Sequence, residues 1–300
     1  MSLSVFLELV EMKAKTASVL PFFIGMVYSF YVYGSFHPVL VFVYFIAMFI
    51  FNMAVDILDN YNDYKHAIGG HDYKEKTNII GRENLSLPLV FWLMVSLIVI
   101  SAGMGIALSF VVGWPLFFMG LYCYLVGIFY SSGPRPLSSL PVGEFFSGST
   151  MGFMISLICV YINTYESFQW QASDVFGVFL IALPNTMWIA NLMLANNTCD
   201  KEEDEKNGRF TLVHYIGTQK ALKLFVGMNI VAFVAILMSV FFQLAPKTVL
   251  LTFLSVPFVY SQTELFLKKQ VKKETFRCAV KILAVGSILQ FVTYWIGMIL

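Results

Sequence analysis

The chain has 300 residues, of which 58% are hydrophobic, 17% aromatic and only 12% charged, and its formal net charge is +1. Its mean hydropathy of +0.75 lies far above that of soluble globular proteins. A nearly neutral chain also lacks the basic excess that nucleic-acid binding requires. The composition therefore excludes a soluble enzyme and a nucleic-acid-binding protein, and it indicates an integral membrane protein.

Apolar segments follow one another along the chain, each close to the roughly 20 residues that a helix needs to cross a bilayer. Continuous apolar runs predict helices, because the strands of a membrane barrel would alternate polar and apolar residues. We predict an all-α fold in a single domain over residues 1–300, a polytopic bundle of about nine transmembrane helices with cytoplasmic active-site loops. The predicted spans are 17–35, 38–57, 88–111, 114–131, 145–164, 175–195, 221–243, 248–266 and 279–299.

The basic residues predict the orientation of the bundle. With the N-terminus inside, every Lys and Arg except Lys247 falls on the cytoplasmic side, as the positive-inside rule requires. We expect a multi-pass protein of the plasma membrane with cytoplasmic N-terminus and active site. The N-terminus has no signal-peptide pattern, so we expect nothing to be removed, and residues 3–15 predict an amphipathic helix at the interface. The four cysteines have no paired spacing that would indicate a disulfide or zinc site.

Two segments, after the second and the sixth predicted spans, each carry three oxygen-bearing side chains at positions i, i+3 and i+7. They are Asp56, Asp59 and Asp63 in the first acidic motif and Asn197, Asp200 and Asp204 in the second acidic motif. This spacing places three side chains on one helix face. Carboxylates at the end of a membrane helix are costly unless they face water, a cation or one another, so we interpret the motifs as a shared polycation site.

The ligands of this predicted site are oxygen atoms only, which favours Mg²⁺. Magnesium takes one or two carboxylates, keeps its waters and fills its shell from substrate phosphates, so a diphosphate is the expected partner. The alternative is that these acids cap helix ends and pair with nearby lysines. A repeated interval of three and then four residues favours the metal site, because a solvated face has no reason to repeat it.

A third cytoplasmic loop, residues 130–144, combines Gly and Pro turns with Tyr130 and Arg135. Arg135 has the planar fork that suits phosphate or carboxylate, and Tyr130 offers a ring face and a hydroxyl. Both are also consistent with interfacial anchors.

Several further polar residues have two interpretations. Lys13 could reach a diphosphate or an aromatic carboxylate, or it could only signal topology. Asn52, Asn185 and Asn191 lie on polar faces of apolar helices, where such residues often join helices. The basic run at 268–273 predicts a patch that contacts anionic headgroups.

The two acidic motifs, the Tyr-Ser-Ser-Gly-Pro-Arg-Pro loop and the nine-span layout resemble the UbiA-type intramembrane prenyltransferases. Within them, the chain is most similar to the 1,4-dihydroxy-2-naphthoate polyprenyltransferases of menaquinone synthesis, and the resemblance extends from Glu8 to Leu212. The family commonly has Asn-x-x-Asn-Asp-x-x-Asp in the first motif. Here the corresponding residues are Asp56, Asp59, Asn60 and Asp63. The ligand set and the substrate of this chain therefore do not follow directly from the family pattern.

The resemblance implies roles for individual residues. It places the catalytic, magnesium-binding and diphosphate-binding aspartates at Asp59, Asp63, Asp200 and Asp204, with Asp56 and Asn197 as further metal ligands. We expect the leaving diphosphate to be bound by Lys65, Arg135, Lys206 and Arg209, and the aromatic acceptor by Lys13, Asn52 and Tyr130.

The predicted reaction transfers a polyprenyl chain from its diphosphate to an aromatic acid, 1,4-dihydroxy-2-naphthoate, and releases diphosphate and CO₂. The expected partners are polyprenyl diphosphate, the aromatic acid and membrane lipid, without nucleic acid. The sequence leaves open other acceptors, such as 4-hydroxybenzoate, haem or a glycerol phosphate. A secondary transporter with acidic ion sites is a further alternative, although its charges would be expected near the bilayer midplane. If the protein had only a structural role, nothing would explain the repeated acidic motifs.

Overall fold

The computed structural model describes residues 1–66 and 78–300, without the side chains of Lys13 and His66. Within these ranges the protein is all-helical, and nine helical segments are long and apolar enough to cross a membrane. The all-α, multi-span prediction is therefore confirmed. The segments are Thr16–Tyr33, Pro38–Lys65, Leu87–Val112, Trp114–Ser131, Gly143–Thr164, Ala172–Cys199, Thr218–Phe241, Lys247–Lys268 and Phe276–Ile299.

The helices are numbered α1 to α14 in chain order. They are α1 (Leu3–Leu9), α2 (Thr16–Tyr33), α3 (Pro38–His66), α4 (Ile79–Arg82), α5 (Leu87–Val112), α6 (Trp114–Ser131), α7 (Gly143–Ser147), α8 (Ile155–Thr164), α9 (Ala172–Cys199), α10 (Lys201–Lys206), α11 (Leu212–Ile216), α12 (Thr218–Phe241), α13 (Val256–Lys268) and α14 (Phe276–Ile299). Short 3₁₀ turns cover Met12–Ala14, Leu137–Ser139 and Lys247–Ser255, and the last of these completes the eighth span.

Proline and glycine mark several helix boundaries. Pro88 and Pro115 lie in the first turns of α5 and α6, where the missing backbone N–H costs no intrahelical hydrogen bond. Gly113 separates these two helices with φ 102°, a left-handed value that favours glycine. The sequence therefore divides this long apolar stretch into two spans.

The chain forms two compact units: unit 1 contains Met1–Thr16 and Val39–Leu137, and unit 2 contains Ala17–Pro38 and Ser138–Leu300. In unit 1, α5 packs against α6, and a buried cluster joins the N-terminal segment to the end of α3 and to α4. Its members include Leu9, Val10, Ile57, Leu58, Ile79 and Ile80. This cluster supports the helical turns that carry the first acidic motif.

The N-terminal segment differs from the predicted amphipathic helix over residues 3–15. The helix α1 ends at Leu9, and Glu11 adopts a left-handed φ of 47° before a single 3₁₀ turn. Leu9 and Val10 are fully buried in the cluster of unit 1. The prediction of one continuous helix was wrong, because burial of these two residues turns the chain before Lys15.

In unit 2, α9 is the central helix, packing most extensively against α12 and also against the fifth span and α14. The fifth span contains a π-helical segment, Gly148–Met154, between α7 and α8. Gly148 and Gly152 let it approach α9 closely, since a Cβ at Gly152 would lie 2.5 Å from Thr186 Cα. Small residues permit such helix contacts in membrane proteins. The close contact supports the segment that leads to the second acidic motif.

Buried amides also join the helices of unit 2. Asn185 Nδ2 donates to Gln290 Oε1 at 2.8 Å, which links α9 to α14. Asn191 Nδ2 donates to the carbonyl of Phe225 at 2.9 Å, which links α9 to α12. Both asparagines therefore make the inter-helical contacts that were one of their two predicted interpretations.

Candidate active site

The first acidic motif lies in the last three turns of α3, within unit 1. Asp56 is in contact with the ammonium of Lys15, which is only 4% exposed, and Lys15 Nζ also donates to the carbonyl of Asn52 at 3.3 Å. Burial lowers the pKa of this Lys15 amine to about 7, although the charge of Glu11 acts in the opposite direction. Removal of one partner of such a buried pair strongly destabilises the folded protein.

Two serines at the end of α6 bind the same turns of α3. Ser131 Oγ donates to Asp59 Oδ1 at 2.6 Å. Asn62 Nδ2 donates to the Ser131 carbonyl and to Ser132 Oγ, each at 2.9 Å. These contacts hold Asp59 in place and bring the start of the Gly-Pro-Arg-Pro loop to the first motif.

The neighbouring Asn60 joins this motif to the rest of unit 1. Its Nδ2 donates to the carbonyl of Leu9 at 3.4 Å and to that of Asp56 at 3.1 Å, and its own carbonyl accepts from Asn78 Nδ2 at 3.0 Å. Asn60 therefore holds backbone segments together.

The second acidic motif lies in unit 2, at the junction of α9 and α10. Asn197 belongs to the last turn of α9, Asp200 lies between the helices, and Asp204 belongs to α10. The predicted single helix is interrupted at Asp200, where φ is −97° and ψ is 6°. The backbone N–H of Asp204 still donates to the Asp200 carbonyl at 2.8 Å, so the helical spacing continues across the junction.

Lys272, in the segment between α13 and α14, contacts the second motif. Its ammonium hydrogen-bonds to Asp200 Oδ2 and to Asn196 Oδ1. The sequence interpretation of residues 268–273 as a headgroup patch did not include this contact of Lys272 with the second motif, and the headgroup contact itself stays a prediction. The sequence spacing contained no signal, because 72 residues separate Lys272 from Asp200.

Asp204 is the most buried acid of the second motif, with 8% of its surface exposed. Arg209 Nε lies 3.2 Å from Asp204 Oδ1, and the backbone of Phe210 is bound to the Ser139 carbonyl at 3.0 Å. Burial raises the pKa of Asp204 to about 6, although the charge of Arg209 acts in the opposite direction. The carboxyl of Asp204 therefore lies in an environment where a further positive charge would stabilise its ionised form.

The remaining predicted site residues occupy different environments. Arg135 is exposed in the turn that follows α6, and Lys206 is exposed at the end of α10. Lys65 lies above the ring of Tyr61, 5.0 Å from its centroid. Tyr130 is half-buried in the last turn of α6. The side chain of Lys13 lies outside the described part of the structure, so its role stays a prediction.

Magnesium is the metal that the donor atoms fit best. Among residues 1–66 and 78–300, no group of three or more His, Cys, Asp or Glu side chains could hold a metal ion by itself. Magnesium, however, commonly takes only one or two carboxylates and completes its shell with water and phosphate. Oδ2 of Asp204 is buried and accepts no hydrogen bond within the described ranges. Since an unsatisfied buried carboxylate oxygen is costly, the second motif fits a hydrated cation.

An open depression of about 640 Å³ adjoins the second motif in unit 2. Acidic and basic side chains both line it, so a magnesium-bound anion would find complementary charge there. The lining residues are Thr198, Cys199, Asp200, Lys201, Glu202, Glu203, Lys206, Thr218 and Gln270.

The contact between Lys272 and Asp200 yields a first prediction. If Lys272 adds a charge-assisted hydrogen bond to the diphosphate that the sequence predicts, Lys272→Ala raises the KM for that diphosphate at least about tenfold, since such bonds contribute about 1.5–3 kcal/mol. Lys273→Ala is the matched control, because this exposed neighbour removes the same charge from the same segment. Steady-state kinetics at fixed Mg²⁺ measure the difference, and equal KM values for the two variants would contradict it.

The chain is similar to a known protein family and to a curated protein of that family. The sequence profile of the UbiA prenyltransferase family matches residues 18–285. A curated relative, the 1,4-dihydroxy-2-naphthoate octaprenyltransferase of Bacillus subtilis (strain 168), is 29% identical over 246 residues, which cover 81% of this chain and 75% of the relative.

Solved structures show the same fold at lower identity. An apo UbiA homolog from Aeropyrum pernix K1 superposes with a TM-score of 0.73 at 16% identity, covering 94% of this chain and 98% of that one. A UbiA homolog from Archaeoglobus fulgidus, bound to GPP and Mg²⁺, has a TM-score of 0.65 at 12% identity and covers 99% and 100% of the two chains. These similarities establish the fold of the present chain.

Proposed function

Because this chain belongs to the UbiA prenyltransferase family, we propose that it transfers a polyprenyl chain from its diphosphate to 1,4-dihydroxy-2-naphthoate and releases diphosphate and CO₂. The observation that carries the proposal is the second acidic motif, in which buried Asp204 and cation-paired Asp200 form an oxygen-rich site beside an open depression. The Bacillus subtilis relative, named as an octaprenyltransferase of this naphthoate, supports the choice of acceptor.

The second motif supplies the ligands for a magnesium-bound diphosphate in this proposal. Asp200, Asp204 and the amide oxygen of Asn197 would hold Mg²⁺ there, and Asp56, Asp59 and Asp63 would be the corresponding ligands of the first motif. When bound, Mg²⁺ neutralises diphosphate charge and so stabilises the leaving group. The Archaeoglobus fulgidus homolog, solved with GPP and Mg²⁺, supports this pairing of metal and prenyl diphosphate.

Basic side chains supply the remaining positive charge for the leaving group. Lys272 and Arg209 already contact the carboxylates of the second motif, and Lys206 lines the depression beside it. Lys65 and Arg135 would act in the same way at the first motif. As the allylic carbon–oxygen bond breaks, its electron pair stays on the diphosphate, and charge-assisted hydrogen bonds from these groups stabilise that charge.

The acceptor completes the reaction without a further reagent. The electron-rich ring carbon that bears the carboxylate attacks the allylic cation and forms the new carbon–carbon bond. The carboxylate then leaves as CO₂, and its electron pair returns to the ring. Tyr130, Asn52 and Lys13 are the proposed acceptor-binding residues, and aromatic rings can stabilise a nearby cation by their negative faces.

The nine apolar helices found in residues 1–66 and 78–300 agree with this substrate, because a polyprenyl tail has no favourable environment in water. We place the acidic motifs and the N-terminus on the cytoplasmic side of the plasma membrane, since all basic residues except Lys247 then lie inside. Family membership favours prenyl transfer over the transporter alternative.

The proposed chemistry is tested with purified protein in liposomes, a labelled polyprenyl diphosphate and the naphthoate. We expect a prenylated lipid product that requires Mg²⁺, disappears when EDTA is added and returns with excess Mg²⁺. Product formation that persists in EDTA would contradict the role of the acidic motifs, and the absence of any product with Mg²⁺ would contradict the acceptor.

A further inference from the structure

Glu144 is a buried acid beside the second motif that the reaction described above does not use. It lies in the first turn of α7, at the start of the fifth span, and only 4% of its surface is exposed. Its Oε1 accepts a hydrogen bond of 2.8 Å from Nδ2 of Asn197, which is 2% exposed. Its Oε2 is buried and accepts no hydrogen bond in the described part of the chain. A carboxylate is thus buried against the first residue of the second motif.

This hydrogen bond determines which end of the Asn197 amide is available to a ligand. An amide has a donating NH₂ group and an accepting oxygen, whereas an ionised carboxylate only accepts. Glu144 therefore binds the nitrogen of Asn197 and leaves Oδ1 as the acceptor. Asn197 precedes Asp200 and Asp204 at the helical spacing of the motif, so this oxygen is the atom of Asn197 that suits a cation.

We propose that Glu144 is a positioning residue for the second acidic motif: its carboxylate holds the Asn197 amide so that Oδ1 serves as an oxygen ligand for the cation of a magnesium diphosphate. This inference rests on the proposed function. Outer partners of this kind orient metal ligands, and their loss typically lowers metal affinity about 10–100-fold.

The position of Glu144 explains how a buried carboxylate is tolerated there. Desolvation of an ion costs several kcal/mol. The N-terminal turn of a helix stabilises negative charge, and the Asn197 amide adds a hydrogen bond. Oε2 keeps acceptor capacity, which suits a water molecule of a hydrated cation.

The decisive experiment removes the carboxylate that can only accept a hydrogen bond. In Glu144→Gln, the new amide can either accept from Asn197 Nδ2 or donate to Asn197 Oδ1, so the Asn197 oxygen is no longer held available for the cation. The double variant E144Q/N197D keeps the net charge, the volume and a hydrogen bond, but now position 144 donates and position 197 retains a free carboxylate oxygen. Binding of Mn²⁺ in the presence of farnesyl thiodiphosphate, measured by electron paramagnetic resonance, reports metal affinity without turnover.

We expect E144Q to weaken Mn²⁺ binding at least about tenfold and E144Q/N197D to return it to within about threefold of the parent protein. An unchanged affinity in E144Q, or a double variant as weak as E144Q, would overturn the proposal. If the E144Q protein cannot be purified in a folded state, the double variant alone tests the proposal. A loss of Mn²⁺ affinity of about tenfold or more in the double variant would then overturn it. Absence of Mn²⁺ binding in the parent protein would instead reject the proposed function.

Discussion

We expect Asp204→Asn to lower the rate of prenyl transfer by at least about 100-fold, because it removes a carboxylate that holds the charge of a magnesium diphosphate. The side chain keeps its shape, so the loss arises from charge alone. Asp63→Asn is expected to have the same effect in the first motif. Turnover of labelled polyprenyl diphosphate at saturating Mg²⁺ measures both losses.

The same substitution should not destabilise the protein. Burial raises the pKa of Asp204 to about 6, so the folded state binds its proton more tightly than the unfolded chain does. The contribution of this group to stability therefore falls as pH rises from about 4 to 6, and at neutral pH the ionised form is a cost that asparagine removes. Arg209 loses its partner but is partly exposed to solvent. We expect an unchanged or higher melting temperature at pH 7.

Glu205→Ala is the matched control, because Glu205 follows Asp204 in the same helix, α10, and does not line the depression beside the second motif. It should retain prenyl transfer within about threefold of the parent protein, as surface substitutions usually change little. Asp204→Asn with nearly full activity, or with a loss that follows unfolding, would remove Asp204 from the site.

The second large effect is expected for Gly152→Ala and concerns stability. A Cβ at this position would lie 2.5 Å from Thr186 Cα and 2.6 Å from Thr186 N, so backbone atoms of α9 would have to move. Overpacking of this kind costs about 1–3 kcal/mol and more when backbone must shift. We expect a melting temperature in detergent at least several degrees below that of the parent protein.

Gly103→Ala is the control for this substitution, since the space around a Cβ at Gly103 is open to 4 Å. Alanine favours a helix over glycine by about 0.8–1 kcal/mol, so this variant should be as stable as the parent or more stable. If the Gly152→Ala and Gly103→Ala proteins had the same melting temperature, the fifth span and α9 would not be closely packed.

The sequence predicts the helical architecture well because the bilayer imposes a simple length and polarity requirement. The fourth predicted span, 114–131, coincides with α6, and the third differs from α5 by one residue at each end. The second predicted span ends at residue 57, whereas α3 continues through the first acidic motif to His66. Hydropathy detects the apolar part of that helix, but its polar last turns have no apolar signal.

The contacts of the acidic motifs could be predicted only in part. Local spacing identifies Asp200 and Asp204, because residues of one motif lie close together along the chain. Lys15, Glu144 and Lys272 contact the motifs from elements 41, 53 and 72 residues away. Such pairs depend on how helices pack, which no local periodicity records. A single acidic or basic residue near a span boundary also resembles an ordinary topology signal.

The most direct test of the proposed reaction compares two acceptors in one assay. Purified protein in liposomes receives labelled polyprenyl diphosphate, Mg²⁺ and either 1,4-dihydroxy-2-naphthoate, labelled in its carboxyl group, or 4-hydroxybenzoate. We predict prenylated product with the naphthoate alone, together with one labelled CO₂ for each product molecule. Product with 4-hydroxybenzoate alone, or prenylated naphthoate that retains its carboxyl label, would contradict the proposed function.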